Sequence, residues 1–482
     1  MERYLCIHGH FYQPPRENPW LEVIEQQDGA RPYHDRNERI TVECYAANTA
    51  SRILDQHGLI ERIVNNYAGI SFDFGPTLLS WLESHAPEVY EALREADRES
   101  QRRFSGHGSA LAQAYNHLIL PLATARDKHT QVLWAIADFT YRFGRAPEGM
   151  WLPETAVDLE TLAILAEHGI RFTILAPRQA QRVRDIQGKE WRDVTGERID
   201  PTTAYAVRLP SGKSIAAFFY HGSIAQAVAF ENLLRSGDSL AHRLHQIFSA
   251  EPPWPQLAHI STDGESYGHH HRFGEMALAY ALQVIEGRNL ARLTNYGEFL
   301  ERYPPRHEVE VVENSSWSCA HGVERWRGDS GCSSGAHPEW RQTWRAPLRQ
   351  ALDWLRDTVA PLFEERAGRF LRDPWEARLE DVSIDERMLA YAFERRLEVL
   401  AQRFGADPAK LGALERLEAF TALVRRLPFD VNLWKAQNIC YRVLHGVFDE
   451  FRGRAAKGDS KSERWLERFR ALADHLLVRV AD

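Results

Sequence analysis

Two carboxylates in this chain lie in sequence contexts that suit acid and base chemistry. Glu154 ends the segment Gly149-Met150-Trp151-Leu152-Pro153-Glu154, in which the proline fixes the backbone just before the carboxylate. Asp263 opens Asp263-Gly264-Glu265, where two closely placed carboxylates repel each other, so that the pKa of one rises toward the value of a general acid. Such a pair fits glycoside hydrolysis, in which one carboxylate attacks the anomeric carbon and the other protonates the leaving oxygen.

Each carboxylate also has an ordinary structural interpretation. Glu154 precedes a predicted helix over residues 158–168, and an acid at that position balances the helix dipole. Asp263 suits an Asx-type turn. From these two segments alone, the catalytic and the structural interpretations are about equally supported.

A metal site is an alternative use of the histidines. His8 and His10, two residues apart on a predicted strand, share one face, and the run His269-His270-His271 follows an acidic segment. Imidazole and carboxylate groups bind zinc and similar ions, but the same histidines suit hydrogen bonds to sugar hydroxyls. The chain has no Gly-x-Ser-x-Gly elbow, phosphate loop or Gly-rich dinucleotide turn, which argues against those kinds of site.

The surrounding elements indicate a parallel β/α architecture. Apolar, strand-like runs such as 4–8, 70–74 and 259–263 alternate with helical stretches of ten to fifteen residues. In a parallel barrel the carboxyl ends of the strands face the active site, so polar residues that follow different strands converge there. The residues assigned to such positions are His8, His10, Asp73, His107, Trp151, Glu154, Asp263 and Glu265.

Two regions depart from this alternation. Residues 178–203 are charged and poor in apolar side chains, and residues 205–220 have the pattern of a β-hairpin that turns at Ser211-Gly212, so we predict a surface excursion over about 178–220. After residue 345 the sequence becomes almost wholly helical. We therefore predict a catalytic domain over 1–345 and a helical domain over 346–482.

Composition bounds the class of protein. The chain has 482 residues, of which 44% are apolar and 26% charged, and its net charge of −8 comes from interspersed acids and bases. Without a basic stripe, neither nucleic acid nor an anionic membrane is an expected partner. The five cysteines are scattered and odd in number, so neither a disulfide framework nor a zinc ribbon is expected. The first residues lack the apolar core of a secretion signal, and we expect a cytoplasmic protein.

Five short segments, in order along the chain, resemble the motifs of glycoside hydrolase family 57. Residues 8–14 resemble the first motif, His-x-His-Gln-Pro, with two residues inserted, and residues 106–122 resemble the second without its early Glu. Residues 149–154 and 262–268 are similar to the third and fourth motifs, which are specific. Residues 317–326 look like the fifth motif of an uncharacterised branch of the family.

The resemblance implies an incomplete (β/α)7 barrel followed by a mostly helical C-terminal domain. It also implies a retaining hydrolase or 4-α-glucanotransferase that acts on α-glucans such as maltooligosaccharide, glycogen or starch without a metal or other cofactor. In that mechanism Glu154 is the nucleophile and Asp263 the general acid/base. The substrate-binding residues assigned in the same way are His8, His10, His117, Trp151, Glu265, Trp317, His321 and Trp326.

Two other classes of protein stay open. One is a metal-dependent carbohydrate enzyme on a related barrel, either a deacetylase or mannosidase-like. The other is a sugar-binding protein that has lost catalysis, which the altered first and second motifs would fit.

Overall fold

The computed structural model describes residues 2–21, 23–250, 254–332, 337, 339–369, 373, 386–427 and 430–480, and of residues 386–392 it describes the backbone. The chain forms two compact units, Met1–Val382 and Ser383–Asp482. The domain boundary predicted near residue 345 stays a prediction. No helix among the described residues is long and apolar enough to cross a membrane.

The strands of the first unit divide between two large sheets and a small hairpin. In chain order they are β1 (Arg3–Phe11), β2 (Ser51–Leu54), β3 (Ile60–Val64), β4 (Ser71–Phe74), β5 (Ala110–Gln113), β6 (Met150–Trp151), β7 (Phe172–Leu175), β8 (Ala180–Asp185), β9 (Arg192–Asp193), β10 (Ala204–Arg208), β11 (Ser214–Phe219), β12 (Gln256–Asp263), β13 (Arg292–Leu293) and β14 (His307–Val311).

The larger part of the barrel is a parallel sheet with the order β12-β1-β4-β5-β6, and β13 also pairs with β1. An isolated parallel bridge between Gly149 and Phe172 leads from β6 to β7, which runs parallel to β11. In the described part of the chain, β11 and β12 approach through single hydrogen bonds, such as that from the His221 amide to His259 O at 2.9 Å, and not through a paired ladder. This confirms the predicted incomplete (β/α)7 barrel.

Helices follow most of the barrel strands and cover the sheet. Those of the first unit are α1 (Arg36–Ile40), α2 (Ala46–Thr49), α3 (Pro76–His85), α4 (Pro87–Arg103), α5 (Ala125–Phe143), α6 (Leu159–Glu167), α7 (Gly222–Phe230), α8 (Gly237–His245), α9 (Gly274–Gly287), α10 (Tyr296–Arg302), α11 (Glu324–Arg327) and α12 (Arg345–Ala367). Between α1 and α2, Thr41–Tyr45 is a π-helical turn, a feature often found at functional sites.

The segment 178–220 differs from the surface excursion that we predicted. The hairpin is present, because β10 and β11 pair antiparallel as expected. However, β8, β10, β11 and β14 belong to one sheet with β7. The charged residues of β8 are paired across that sheet: Arg182 contacts Glu310 at 2.7 Å and Arg184 contacts Glu308 at 2.6 Å. Cross-strand ion pairs therefore account for the polar composition that we took for an excursion.

The second unit is helical, as predicted for the C-terminal region. Its described helices are α13 (Glu386–Ala406), α14 (Leu411–Val424), α15 (Trp434–Gly446), α16 (Phe448–Ala455) and α17 (Ser460–His475). Their apolar faces form a core of their own around Phe404, Leu417, Trp465 and Phe469. Burying large aromatic side chains in this way is the main source of stability for such a bundle.

Candidate active site

The polar residues at the carboxyl ends of the barrel strands meet at one end of the sheet. The register pairs His8 with Ser71 and His10 with both Asp73 and Asp263, so the ends of β1, β4 and β12 lie side by side. The strand β6 delivers Glu154 three residues after its last residue. The convergence expected from a parallel barrel is present.

Glu154 occupies a strained turn. Its φ is 58° and that of Thr155 is 51°. Both values lie in the left-handed region, which non-glycine residues rarely adopt and which β-branched residues such as threonine adopt least often. The helix that follows begins at Leu159, and Asp158 caps it by accepting a hydrogen bond from the Thr161 amide. The acid at the start of this helix is therefore Asp158, and the Glu154 carboxylate, which we considered for a balancing role at the helix terminus, is available for another role.

Gln179 holds this turn in place. Its side-chain nitrogen donates to Thr155 O at 2.8 Å, and its side-chain oxygen accepts from the Thr155 hydroxyl at 2.8 Å. The same oxygen accepts from the Ala176 amide at 2.8 Å, and the same nitrogen also donates to Ser315 Oγ at 3.1 Å. Gln179 is fully buried, so these hydrogen bonds act in a low-dielectric setting where their loss is costly. We had not predicted a role for Gln179.

The segment that carries the fifth motif packs directly on Glu154. The indole N–H of Trp317 donates to Glu154 Oε2 at 3.1 Å, and the Trp317 amide donates to Glu154 O at 3.0 Å. A bridge between Val157 and Ser315 continues this pairing. The indole N–H therefore orients one oxygen of a half-buried carboxylate and leaves the other oxygen free.

His8, His10 and Asp73 form a buried charge network at the end of β1. His8 Nε2 lies 3.0 Å from Asp73 Oδ1, and His10 Nδ1 lies 2.8 Å from Asp73 Oδ2. Burial opposes the charged form of His10, but the carboxylates of Asp73, Asp263 and Glu265 outweigh burial and raise its pKa to about 9. Burial lowers the pKa of His8, and the histidines hold the pKa of Asp73 below its usual value against the effect of burial. We therefore infer an imidazolium at His10 beside an ionised Asp73.

Aromatic rings surround this network. Trp151 is fully buried and stacks on His8 and His10, with ring centroids 5.0 and 4.9 Å apart. It lies beneath the site and supports it, whereas the resemblance had implied a substrate contact. His117 stacks on Tyr12 with centroids 3.6 Å apart, and its Nε2 lies 3.2 Å from His10 Nε2. Burial and the charge of His10 lower the pKa of His117 to about 3, so a neutral His117 accepts the hydrogen bond from His10.

Asp263 faces the site at the end of β12. Its side chain makes no capping hydrogen bond to the turn Gly264–Ser266, so the Asx-turn interpretation does not apply. The Asp263 side chain is exposed to solvent where it lines both cavities, although the protein atoms around it are close enough to desolvate its carboxyl group. Burial raises the pKa of Asp263; the charge of His10 opposes this effect, and the nearby Glu154 and Asp73 add to it.

Glu265, two residues further, is buried behind Asp263. Its Oε1 accepts hydrogen bonds from the Tyr45 hydroxyl at 2.6 Å and the Tyr12 amide at 3.2 Å. Burial raises the pKa of Glu265 to about 7, and the neighbouring Asp263 adds to the effect although the Tyr45 hydroxyl opposes it. The intervening Gly264 is required by packing, because a Cβ there would lie 2.3 Å from the Phe11 ring.

Two cavities meet at the carboxylates. One, of about 580 Å³, has walls that include His10, Tyr12, His117 and Glu265. The other, of about 590 Å³, has walls that include Tyr220, Ser261, Trp317 and Arg325. Glu154 and Asp263 are the two residues that line both. A bound molecule that spans both cavities would therefore place its middle against the two carboxylates.

Three other expected residues lie elsewhere. His107 precedes β5, so our assignment of this histidine to a carboxyl end was wrong, and it contacts Glu148 at 2.9 Å and Glu301 at 2.5 Å. His321 is exposed and lies beside cysteine sulfurs, and the half-buried Trp326 is on neither cavity wall. Residues on the cavity walls that we did not predict include Tyr12, Arg16, Arg39, Tyr220 and Arg325.

The histidines considered as metal ligands are engaged in other contacts. Both ring nitrogens of His8 have partners, Ser71 Oγ at 3.1 Å and Asp73, and those of His10 contact Asp73 and His117. His269 pairs with Glu43, whereas His271 Nε2 donates to Ala229 O at 3.0 Å, so the triple-histidine run points in different directions. Neither group presents a shared set of free ring nitrogens to an ion.

A parallel barrel with paired carboxylates between two cavities fits the active site of a carbohydrate-active enzyme. Comparison of the sequence with family models supports this class: residues 8–312 match the model of glycosyl hydrolase family 57. The chain belongs to that family. Residues 340–403 match a second model, described as a domain of unknown function, DUF3536.

A characterised relative and two solved structures resemble parts or all of the chain. Alpha-amylase 1 of Dictyoglomus thermophilum is 30% identical over 106 residues, which is 22% of this chain and 15% of the amylase. The chain thus spans a small part of that relative. An exo-type maltose-forming amylase from Pyrococcus sp. ST04 is 16% identical, with a TM-score of 0.55 over 97% of this chain and 88% of its own. A GH57-type branching enzyme from Pyrococcus horikoshii is 14% identical, with a TM-score of 0.50 over 99% and 98%. At these identities the two structures support the fold.

Proposed function

We propose that this protein is a retaining glycoside hydrolase or transglycosylase that acts on α-glucans, with Glu154 as nucleophile and Asp263 as general acid/base. The observation that carries the proposal is that these two carboxylates line both cavities. A glucan chain needs room on both sides of the bond that is cleaved. The two cavities supply that room on either side of one carboxylate pair.

The environments of the two carboxylates suit different roles. Trp317 fixes one oxygen of Glu154, which leaves the other oxygen to attack along a defined direction. The raised pKa of Asp263 favours its protonated form, which a general acid needs. The choice of α-glucan as substrate is supported by the family and by the names of the similar proteins, an α-amylase, a maltose-forming amylase and a branching enzyme.

The proposed reaction has two steps. In the first, a Glu154 oxygen forms a bond to the anomeric carbon, the bond from that carbon to the leaving oxygen breaks, and the Asp263 proton moves to the leaving oxygen. In the second, water or a sugar hydroxyl attacks the same carbon, gives its proton to Asp263, and the ester bond to Glu154 breaks. Water as acceptor gives hydrolysis, and a sugar gives transfer.

Other residues would bind and support the substrate. Tyr12 and His117 on one cavity wall, and Tyr220 and Trp317 on the other, offer aromatic faces or edges to sugar rings. His10 lies on the first wall with both ring nitrogens engaged, so it presents its positive charge to the cavity and not a free donor, while the fully buried His8 keeps Asp73 and His10 in position. The proposal therefore assigns His10 to substrate contact and His8 to support.

The decisive test compares Glu154→Gln with wild type on maltoheptaose and on glycogen. We expect turnover to fall at least about a thousandfold, which corresponds to about 4 kcal/mol of transition-state stabilisation. Glu190→Gln, at an exposed glutamate away from both cavities, is the control and should retain full activity. NMR of the first product should show the α-anomer, and product length separates transfer from hydrolysis.

Three results would contradict the proposal. Unchanged turnover in Glu154→Gln would remove the nucleophile assignment. A β-anomer as first product would show inversion. A wild-type protein that binds glycogen without any turnover would indicate a sugar-binding protein instead.

A further inference from the structure

Two cysteines and a histidine meet behind the wall of the second cavity. Cys319, His321 and Cys332 each place one ligand atom within 4.8 Å of the others. Among the described residues, these three side chains are the group of possible metal-binding residues (His, Cys, Asp or Glu) that lie close enough together to hold one ion. Cys319 and Cys332 are joined across thirteen positions as a disulfide, a pairing that we did not predict from the scattered cysteines.

We propose that Cys319, His321 and Cys332 bind a zinc ion once a thiol reductant has opened the Cys319–Cys332 disulfide to two thiolates. Two thiolates and one imidazole are the preferred donors for zinc, and three protein ligands leave a fourth position for water. This site is separate from the catalytic pair, and it does not depend on the proposed function.

The distances support this proposal. A tetrahedral zinc ion with ordinary bond lengths separates a ligating sulfur from a ligating nitrogen by roughly 3.6 Å. His321 Nδ1 lies 3.6 Å from Cys319 Sγ and 3.2 Å from Cys332 Sγ. The two Cα atoms are 7.0 Å apart, beyond the usual range for a disulfide of about 4.4–6.8 Å, so the backbone leaves room for the sulfurs to separate around an ion.

Hydrogen bonds to the sulfurs provide a second, independent support. The His321 amide lies 3.4 Å from Cys319 Sγ and donates to it, and the Ser330 hydroxyl donates to Cys332 Sγ at 3.2 Å. Donors directed at both sulfurs stabilise thiolates, the form that binds metal.

The position of the site gives it a structural consequence. Cys319 follows Trp317 by two residues, and the Gly322 amide donates to Cys319 O at 3.0 Å to close a tight turn. Trp317, Ser318 and Arg325 line the second cavity, so an ion at Cys319 would fix this wall. Because zinc binds the folded chain, it should also raise the unfolding temperature of the unit.

The experiment measures zinc directly. The full chain is reduced, dialysed against dilute zinc chloride and desalted. Bound zinc is then measured by elemental mass spectrometry. We expect about one zinc ion per chain, with the Cys319 and Cys332 thiols slow to react with a thiol reagent until a chelator is added, while the buried Cys6, Cys44 and Cys440 stay slow throughout. In Cys319→Ser, Cys332→Ser and His321→Ala the zinc content should fall at least about tenfold.

Matched controls separate this site from general metal binding. Cys440→Ala removes a cysteine of the second unit, and His57→Ala removes an exposed histidine; both should retain the zinc. The unfolding temperature of wild type, but not of Cys332→Ser, should rise with zinc.

Two outcomes would overturn the proposal. One is a reduced wild-type chain that takes up no zinc while the Cys319 and Cys332 thiols react freely. The other is a Cys319–Cys332 cross-link that persists under mild reduction and excludes zinc, which would make the pair a disulfide only.

Discussion

Replacing Gln179 by leucine should disable the active site more than it destabilises the fold. Leucine has a similar volume but no hydrogen-bonding atoms. Three buried groups would lose a partner: the Ala176 amide, the Thr155 hydroxyl and Thr155 O. We call the hydrogen bonds of Gln179 that hold the Glu154–Thr155 turn the clamp. At the lower limit of about 1 kcal/mol for each unsatisfied group, the clamp is weakened by about 3 kcal/mol.

That energy is comparable with the strain that the clamp maintains. Left-handed backbone at a non-glycine residue costs about 1–3 kcal/mol, and Glu154 and Thr155 both adopt it. Without Gln179 the turn can relax toward ordinary backbone angles, which moves the Glu154 carboxylate away from Trp317. If the whole of about 3 kcal/mol is lost from transition-state stabilisation, kcat/KM on maltooligosaccharide falls about a hundredfold.

Gln256→Leu is the matched control for this experiment. Gln256 is also buried, and it bonds both the amide and the carbonyl of Ser249, but at the amino end of β12, away from the catalytic end. Urea unfolding should show a similar loss of stability for both variants, whereas activity per folded molecule should fall only in Gln179→Leu. Equal activity in the two folded variants would refute the claim that the clamp positions Glu154.

Two further predictions concern stability. The pKa of Glu265 is raised to about 7, so between pH 4.5 and 7 the folded state binds more protons than the unfolded state, and wild-type stability falls as pH rises through that window. Urea unfolding of Glu265→Gln should lack this loss of about 3 kcal/mol, and parallel curves for the two proteins would contradict the assignment. Arg145→Met removes both hydrogen bonds, of 2.7 and 2.8 Å, that neutralise the buried Asp97, which also accepts from the Ala110 amide. It should lower the free energy of unfolding by about 3–5 kcal/mol, and a loss below about 1 kcal/mol would show that Asp97 finds another partner.

The barrel and its catalytic end could be predicted because both depend on local patterns. Apolar runs that break into polar residues mark the ends of parallel strands, and this pattern located His10, Asp73 and Asp263 before any contact was known. The hairpin β10–β11 was predicted from its turn, where Gly212 has a φ of +83°. The order and spacing of the five motifs indicated glycoside hydrolase family 57, which the match to the family model confirms.

What could not be predicted depends on contacts between distant segments. Gln179 contacts Thr155 and Ser315, which lie 24 and 136 residues away, and no local pattern marks it. His107 was assigned to the wrong end of its strand because we placed the strand before this histidine, whereas the strand begins after it, at Ala110. For the charged strand β8, the acidic partners come from a strand more than a hundred residues later, so composition alone suggested a surface excursion.

The surroundings of Asp263 support the roles that we propose for the pair. A general acid/base must release a proton in one step and take one up in the next, so its pKa cannot be displaced far in either direction. Burial and the charge of Glu154 favour the protonated form of Asp263, while the imidazolium of His10 favours the ionised form. His10 in turn keeps its charge because Asp73 lies 2.8 Å away in the same buried network. As Glu154 is esterified its charge is lost, so the first of these opposing effects weakens while Asp263 gives its proton to the leaving group. Asp263 is then ionised beside His10, in the form that takes a proton from the incoming water or sugar hydroxyl in the second step. The histidines of the first motif thus act on the reaction through the charge that they place beside Asp263, in addition to any contact with sugar.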